Sequence, residues 1–368
     1  MKEVGYRLGE LFCGGGLALG AKSASIISHN CKYQINHAWA TDWDSSACET
    51  YRYNICPERP ESVVCCDIRQ LSFERLQNLS SIDGLAFGFP CNDFSVVGER
   101  LGIHGMYGSL YQYAVEALNF FNPQWFVGEN VSGLRNSNGG RALEIILEAL
   151  RTAGNSYEVT AHLYEFEYYG IPQTRHRIII VGIRKDIGKV FRVPSPDLYK
   201  DIDVSCQRAI ENPPIPSSAF NHEPTKQSLV VIERLKYIKP GENVFTAAIP
   251  AELRLNVCGA RISQIYKRLH PSKPAYTITG SGGGGTHVYH WSEHRSLTNR
   301  ERARLQTFPD NFIFYGSKGN VRRQIGMAVP PRFGTIIFNA LLSSLLDIPY
   351  PSIPSNITRT SSLFAEVF

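Results

Sequence analysis

Between residues 5 and 186 short apolar runs alternate with amphipathic stretches, and that rhythm restricts the chain to few folds. GYRLGELFC reads as a strand entering a glycine turn, and LALGAKSASII as the helix leaving it. HAWATDW, with Asp42 near its end, and SSACETYRYN repeat the pair. SVVCCDI, IDGLAFGFP and QWFVGEN continue the strands, while GSLYQYAVEALNFF and GGRALEIILEALRTAGN supply helices. YEVTAHLYEF and RIIIVGIRK read as two antiparallel strands at the sheet edge. Strands and helices alternating at this pace predict an α/β fold, a doubly wound, largely parallel, Rossmann-like sheet.

Composition agrees with a packed core: 43% of the 368 residues are hydrophobic and 19% charged. No run of about 18 apolar residues is present, so no membrane span is expected. MKEVGYRLGE lacks the apolar centre of a secretory signal, which points to a cytoplasmic protein. The nine cysteines include no C-x-x-C pair, so no structural metal is expected and a reducing compartment suffices. A net charge of +5 permits a polyanionic partner without requiring one.

After residue 186 the βα rhythm stops, prolines cluster in PSPDL and ENPPIPSS, and TGSGGGGTH follows. The expected organisation is a catalytic and nucleotide-binding domain over 1–185 and an irregular domain over 186–318. Residues 319–368 are expected to rejoin the first domain through a final helix, with a peripheral tail.

The turn FCGGGLALG brings backbone close to a ligand through Gly14, Gly15, Gly16 and Gly20, but it does not satisfy G-x-G-x-x-G. A nicotinamide-dependent dehydrogenase is disfavoured on that ground. FGFPCNDFS places Cys91 just beyond a strand and a proline, where parallel sheets open towards ligands. A thiolate there is a nucleophile, although a lone cysteine is more often a buried core residue. GEN sets Glu129 at the end of the next strand, able to hold a proton at a ring nitrogen or simply to cap a helix. In QTRHR, alternation puts Gln173, Arg175 and Arg177 on one face and His176 on the other. Asp42, Trp43 and Asp67 stand at strand ends where nucleotide-binding folds contact ribose and adenine.

The ordered series FCGGG, TDWD, DI, PCNDFS, GENV, QTRHR, LTNRERARLQTFPDNF and RQIGMAVPP resembles the DNA (cytosine-5)-methyltransferases, restriction–modification type. The resemblance spans roughly residues 8 to 340, apart from the stretch from about 186 to 270. It implies that Cys91 attacks C6 of a cytosine flipped out of the duplex. It further implies that Glu129 holds the base, that Arg175 and Arg177 assist, and that S-adenosyl-L-methionine is the cofactor. The cofactor residues it implies are Phe12, Gly14, Gly16, Leu17, Asp42, Trp43, Asp67, Ile68, Pro90, Leu110, Met327 and Val329. The DNA contacts it implies are Ser95, Gln173, Arg175, Thr277, Gly282 and Gly283, with about 186–295 as the target-recognition region. The partners that follow are double-stranded DNA and a cognate restriction endonuclease acting on the same site, the enzyme itself working as a monomer.

Three positions depart from the family pattern. The glycine turn is one residue shorter, which can displace the loop and weaken cofactor binding. Asn92 stands in place of the usual Gln after the cysteine, and Met327 in place of an Asn. Two other functions remain open on the residues: an RNA (tRNA) methyltransferase on the same scaffold, and a non-catalytic DNA-binding relative with weakened cofactor affinity.

Overall fold

In the computed structural model, residues 1–89, 110–255, 263–280, 282 and 285–357 are described. Strand β1 (Lys2–Leu11) leads through the glycine turn into helix α1 (Gly16–Ser23). Here the structure differs from the expected helix through Ile27. The chain stops at Ala24 and turns into β2 (Ser25–Ser28), where the β-branched pair Ile26–Ile27 favours a strand. His29 and Asn30 take φ of 47° and 61°, the two left-handed positions of a tight hairpin turn. That turn pairs β2 antiparallel with β3 (Cys31–Asp42), a longer strand than HAWATDW alone suggests.

Helix α2 (Ser45–Asn54) starts where the Asp44 carboxylate accepts from the Ser46 and Ala47 amides. Strand β4 (Val63–Cys65), helix α3 (Phe73–Leu79) and β5 (Gly84–Phe87) follow. Beyond them come α4 (Tyr111–Phe121), β6 (Trp125–Val131) and α5 (Arg141–Thr152), which buries Leu143, Ile146, Leu147 and Leu150 on one face. Strand β7 (Tyr157–Glu165), the short β8 (Gln173–Thr174) and β9 (His176–Arg184) complete the first half.

The sheet runs β2-β3-β1-β5-β6-β9-β7, with β4 on the far half of β3. β4, β3, β1, β5 and β6 are mutually parallel, whereas β9 is antiparallel to both β6 and β7, as RIIIVGIRK and YEVTAHLYEF predict. The strand order reverses between β1 and β5, so a crevice opens at their carboxyl ends. Alternate residues of β5 and β6 feed opposite cores. Leu85, Phe87 and Phe126 pack towards α4 and α5, while Ala86, Trp125 and Val127 pack towards α1 and the last helix.

The later chain adds β10 (Val193–Pro194), α6 (Cys206–Glu211), α7 (Leu229–Lys236) and β11 (Ala275–Tyr276), which pairs in parallel with β8. Leu235, Ile238, Val244, Ile249, Tyr266 and Tyr289 form a small core of their own. Another core crosses the expected boundary, joining Cys13, Cys48 and Tyr51 to Leu269, Trp291, Phe308 and Ile325. Helix α8 (Asn299–Leu305) begins with a capping box between Thr298 and Glu301. Helices α9 (Lys318–Met327) and α10 (Pro331–Leu345) follow, the second lying on α1. The stretch 318–345 is long and apolar enough to cross a membrane, yet 78% of its apolar window is buried inside the protein. The tail, expected to be peripheral, forms β12 (Ser352–Ile353) on β10, and the Asn356 side chain bonds both the amide and the carbonyl of Leu163 on β7.

Candidate active site

The glycines of the opening turn divide their work. A Cβ on Gly16 would lie 2.2 Å from the Val329 carbonyl, and one on Gly20 would lie 2.7 Å from the Gly334 Cα. These two glycines let α1 touch the segment entering α10. A Cβ on Gly14 would meet nothing within 4 Å, so Gly14 faces open space at the crevice. Phe12, half-buried, takes φ of 56° to turn the chain there.

Across the crevice mouth, β3 ends at Asp42. Burial pushes its carboxyl up to about 7, against the hydrogen bond of 2.8 Å that it accepts from the Asp44 amide. Trp43 next to it is 71% exposed, an open aromatic face. Asp67 caps the turn after β4 and holds Arg69 through both carboxylate oxygens, which keeps its carboxyl down at about 2. Leu17, Ile68, Leu110 and Val329 are buried apolar residues beneath the crevice, whereas the Met327 side chain is 61% exposed.

On the other side, β6 carries Glu129 and Asn130 to the same edge. Glu129 Oε1 lies 3.0 Å from Arg177 Nε of β9, and both side chains are nearly enclosed. A Cβ on Gly88 would sit 3.4 Å from Glu129 Oε2, so the carboxylate lies directly over the chain after β5. The pair is an ion pair and not an aligned hydrogen bond, and no described residue donates a hydrogen bond to Glu129. The Asn130 amide donates to the Phe89 carbonyl at 3.5 Å and its oxygen accepts from Val131 N at 2.8 Å, tying the strand ends together. Asn130 does not stand out in the sequence as a site residue, because it acts by bracing.

Arg175 is buried and donates to the Ile278 carbonyl at 3.1 Å. Gln173 is fully buried; it accepts from Ile278 N at 2.7 Å and donates to Gln306 Oε1 at 2.8 Å. The Thr277 hydroxyl donates to the Thr174 carbonyl at 2.8 Å. These contacts dock the later chain on β8, and Arg177 at the start of β9 meets Glu129 from the neighbouring strand. His176, on the opposite face, meets Glu167 at 3.1 Å. Gly282 receives the Arg322 guanidinium on its carbonyl at 3.2 Å. Pro90, Cys91, Ser95 and Gly283 lie outside the described residues.

The model of the C-5 cytosine-specific DNA methylases matches residues 6–343. The chain is 55% identical to the Type II methyltransferase M.BbvI of Brevibacillus brevis, over 95% of this chain and 94% of that one. It is 41% identical to M.NgoFVII of Neisseria gonorrhoeae, over 88% and 82%. Among solved structures, DNMT2 of Spodoptera frugiperda superposes with a TM-score of 0.59 at 16% identity, covering 93% of this chain and 99% of that one. A chain described as a DNA modification methyltransferase encoded within an Escherichia coli prophage superposes at 0.69 with 22% identity, over 93% and 99%. The crevice at the strand reversal, the carboxylate over Gly88 and these similarities lead to one assignment: the chain belongs to the C-5 cytosine-specific DNA methylases and is a DNA (cytosine-5)-methyltransferase.

Proposed function

We propose that the protein methylates C5 of one cytosine within a specific site of double-stranded DNA, with Cys91 as nucleophile and S-adenosylmethionine as methyl donor. It thereby shields that site from a restriction endonuclease, in keeping with the Type II names of its relatives at 55% and 41% identity. The observation that carries the chemistry is Glu129, nearly enclosed above Gly88, three residues before Cys91, with no hydrogen bond from any described residue.

A cytosine reaches such a crevice only when it leaves the base stack. The Cys91 thiolate adds to C6 and sends the ring electrons towards C5, making an enamine from an unreactive aromatic carbon. Glu129 holds N3 and the exocyclic amine, and protonation at N3 stabilises the electrons displaced from C6. Arg177 fixes the Glu129 carboxylate from the side, and Arg175 presents a cation towards the base carbonyl and the adjoining phosphate. Bound S-adenosylmethionine supplies the methyl group. Loss of the C5 proton and departure of the Cys91 sulfur then restore the aromatic ring. The residues present fit that donor: Gly14 leaves open space, Trp43 offers a bare aromatic face, and Asp42 can accept from ribose hydroxyls. Asp67, engaged by Arg69, would have to release it before meeting an adenine amine.

The test is transfer of label from S-adenosylmethionine to duplex DNA or to tRNA, with Cys91→Ala as control. Label is expected in duplex DNA and lost with Cys91→Ala. Transfer to DNA that survives the substitution would sink the mechanism, and transfer to tRNA alone would replace the substrate.

A further inference from the structure

Helix α8 carries three buried arginines with different fates. Arg300 donates to the carbonyls of Phe220, Pro309 and Phe312 at 3.0, 3.0 and 2.6 Å. Arg304 is paired with Asp310 and donates to the Ile210 carbonyl at 2.9 Å. Arg302, between them in sequence, is 1% exposed, and none of its three guanidinium nitrogens has a hydrogen-bond partner among the described residues. A buried polar group without a partner costs free energy that native proteins seldom leave uncompensated, and a buried charge costs more.

Arg322 adds charge of the same sign, while the neighbouring Glu301 opposes it. Burial lowers the Arg302 pKa to about 10, and its electrostatic neighbours include Arg322, Tyr276 and Tyr289. Arg322, half-buried on α9, makes no ion pair among the described residues and donates only to the Gly282 carbonyl. A Cβ on Gly282 would fall 2.1 Å from Arg322 Nη1, so the guanidinium in this position rests directly against the glycine. His287 feels both arginines and is held down to about 4, chiefly by burial, so it is a neutral donor at physiological pH. Glu301, the nearest acid in sequence, is committed to Arg295 and the Thr298 amide. Among the described residues neither guanidinium forms an ion pair, and the one acid that acts on Arg302, Glu301, is held by Arg295. The cluster adjoins the candidate active site, since Tyr276 pairs with Thr174, the residue before Arg175.

We propose that Arg322 and Arg302 form a seat for one phosphate of the DNA backbone, Arg322 at its mouth and Arg302 at its floor. The assignment rests on the DNA-methylating function proposed above. Arg322 makes the direct contact. Arg302 acts through the low-dielectric interior, where an unscreened charge reaches further than at the surface. Such a seat weakens or strengthens binding to all duplexes alike and reads no sequence.

The experiment uses full-length protein with Arg302→Met, Arg322→Met and the double substitution. Binding of a fluorescent duplex is titrated at several salt concentrations, alongside thermal melting and S-adenosylmethionine binding. Each single variant should bind duplex roughly tenfold more weakly. The dependence of log K on log salt should be shallower by about one phosphate contact. Arg302→Met should melt at or above the wild-type temperature, since an apolar chain of similar length removes an unpaired buried charge. Methyl-donor binding should be unchanged in all three. Unchanged duplex affinity and salt slope, or a large fall in melting temperature with Arg302→Met, would overturn the phosphate seat in favour of a packing role. If wild type labels tRNA and not duplex DNA, the proposed function fails instead, whatever the variants do.

Discussion

Glu10, one strand away from Asp42 at the crevice, is 2% exposed and accepts a hydrogen bond of 3.0 Å from Tyr51 Oη. Burial pushes its carboxyl up to about 8 from an ordinary 4.5. The folded state therefore keeps a proton that the unfolded chain releases, and Glu10's contribution is fully present below about pH 4.5 and lost as pH rises to 8. Replacing Glu10 with Gln removes that loss. Relative to wild type, Glu10→Gln should gain stability by about 1.4 kcal/mol per pH unit across the window. Urea unfolding of both proteins at pH 5, 6, 7 and 8 measures the difference, and parallel curves would show that Glu10 does not titrate this way. Glu129 belongs to the same scale. Glu129→Gln keeps the shape above Gly88 but loses the carboxyl, so turnover should fall 10²- to 10⁴-fold while S-adenosylmethionine binding persists. Loss of cofactor binding would misplace this residue.

Elements show how much was legible in the sequence. Strands β1, β3, β4, β5 and β6, the β7–β9 pair and helices α2, α4 and α5 follow from apolar periodicity and caps, because each buries a regular face. The β2 hairpin escaped because Ala-Lys-Ser-Ala-Ser continues a helical pattern, and only the left-handed His29–Asn30 turn reverses the chain. Of the site, Glu129 with Arg177 at one crevice edge and Asp42 with Trp43 at the other were readable from strand ends. Arg302 was not, since an arginine's missing partner depends on what tertiary packing brings beside it. The glycine turn separates two roles that spacing alone merges. Gly20→Ala pushes a Cβ into α10 backbone and should destabilise the fold by about 1–3 kcal/mol. Gly14→Ala should leave the melting temperature unchanged and weaken methyl-donor binding. Calorimetry and melting of both variants check this; equal effects on stability would refute the division.

At the scale of the molecule, the far end of the chain finishes structures begun at its start. β12 covers β10, and Asn356 binds the Leu163 backbone on the outermost strand β7, as a partner strand would. A chain ending at residue 349 loses both contacts and should melt several degrees lower, by about 1–3 kcal/mol for the orphaned polar groups. An unchanged melting curve would show that the strap contributes nothing. The contact between α1 and α10 goes further. Gly16 and Gly20, in the floor of the crevice, lie against Val329 and Gly334, more than three hundred residues later. During synthesis that floor has nothing to rest on until α10 has emerged from the ribosome. A nascent chain that stops short of α10 thus lacks the support for its own glycine turn.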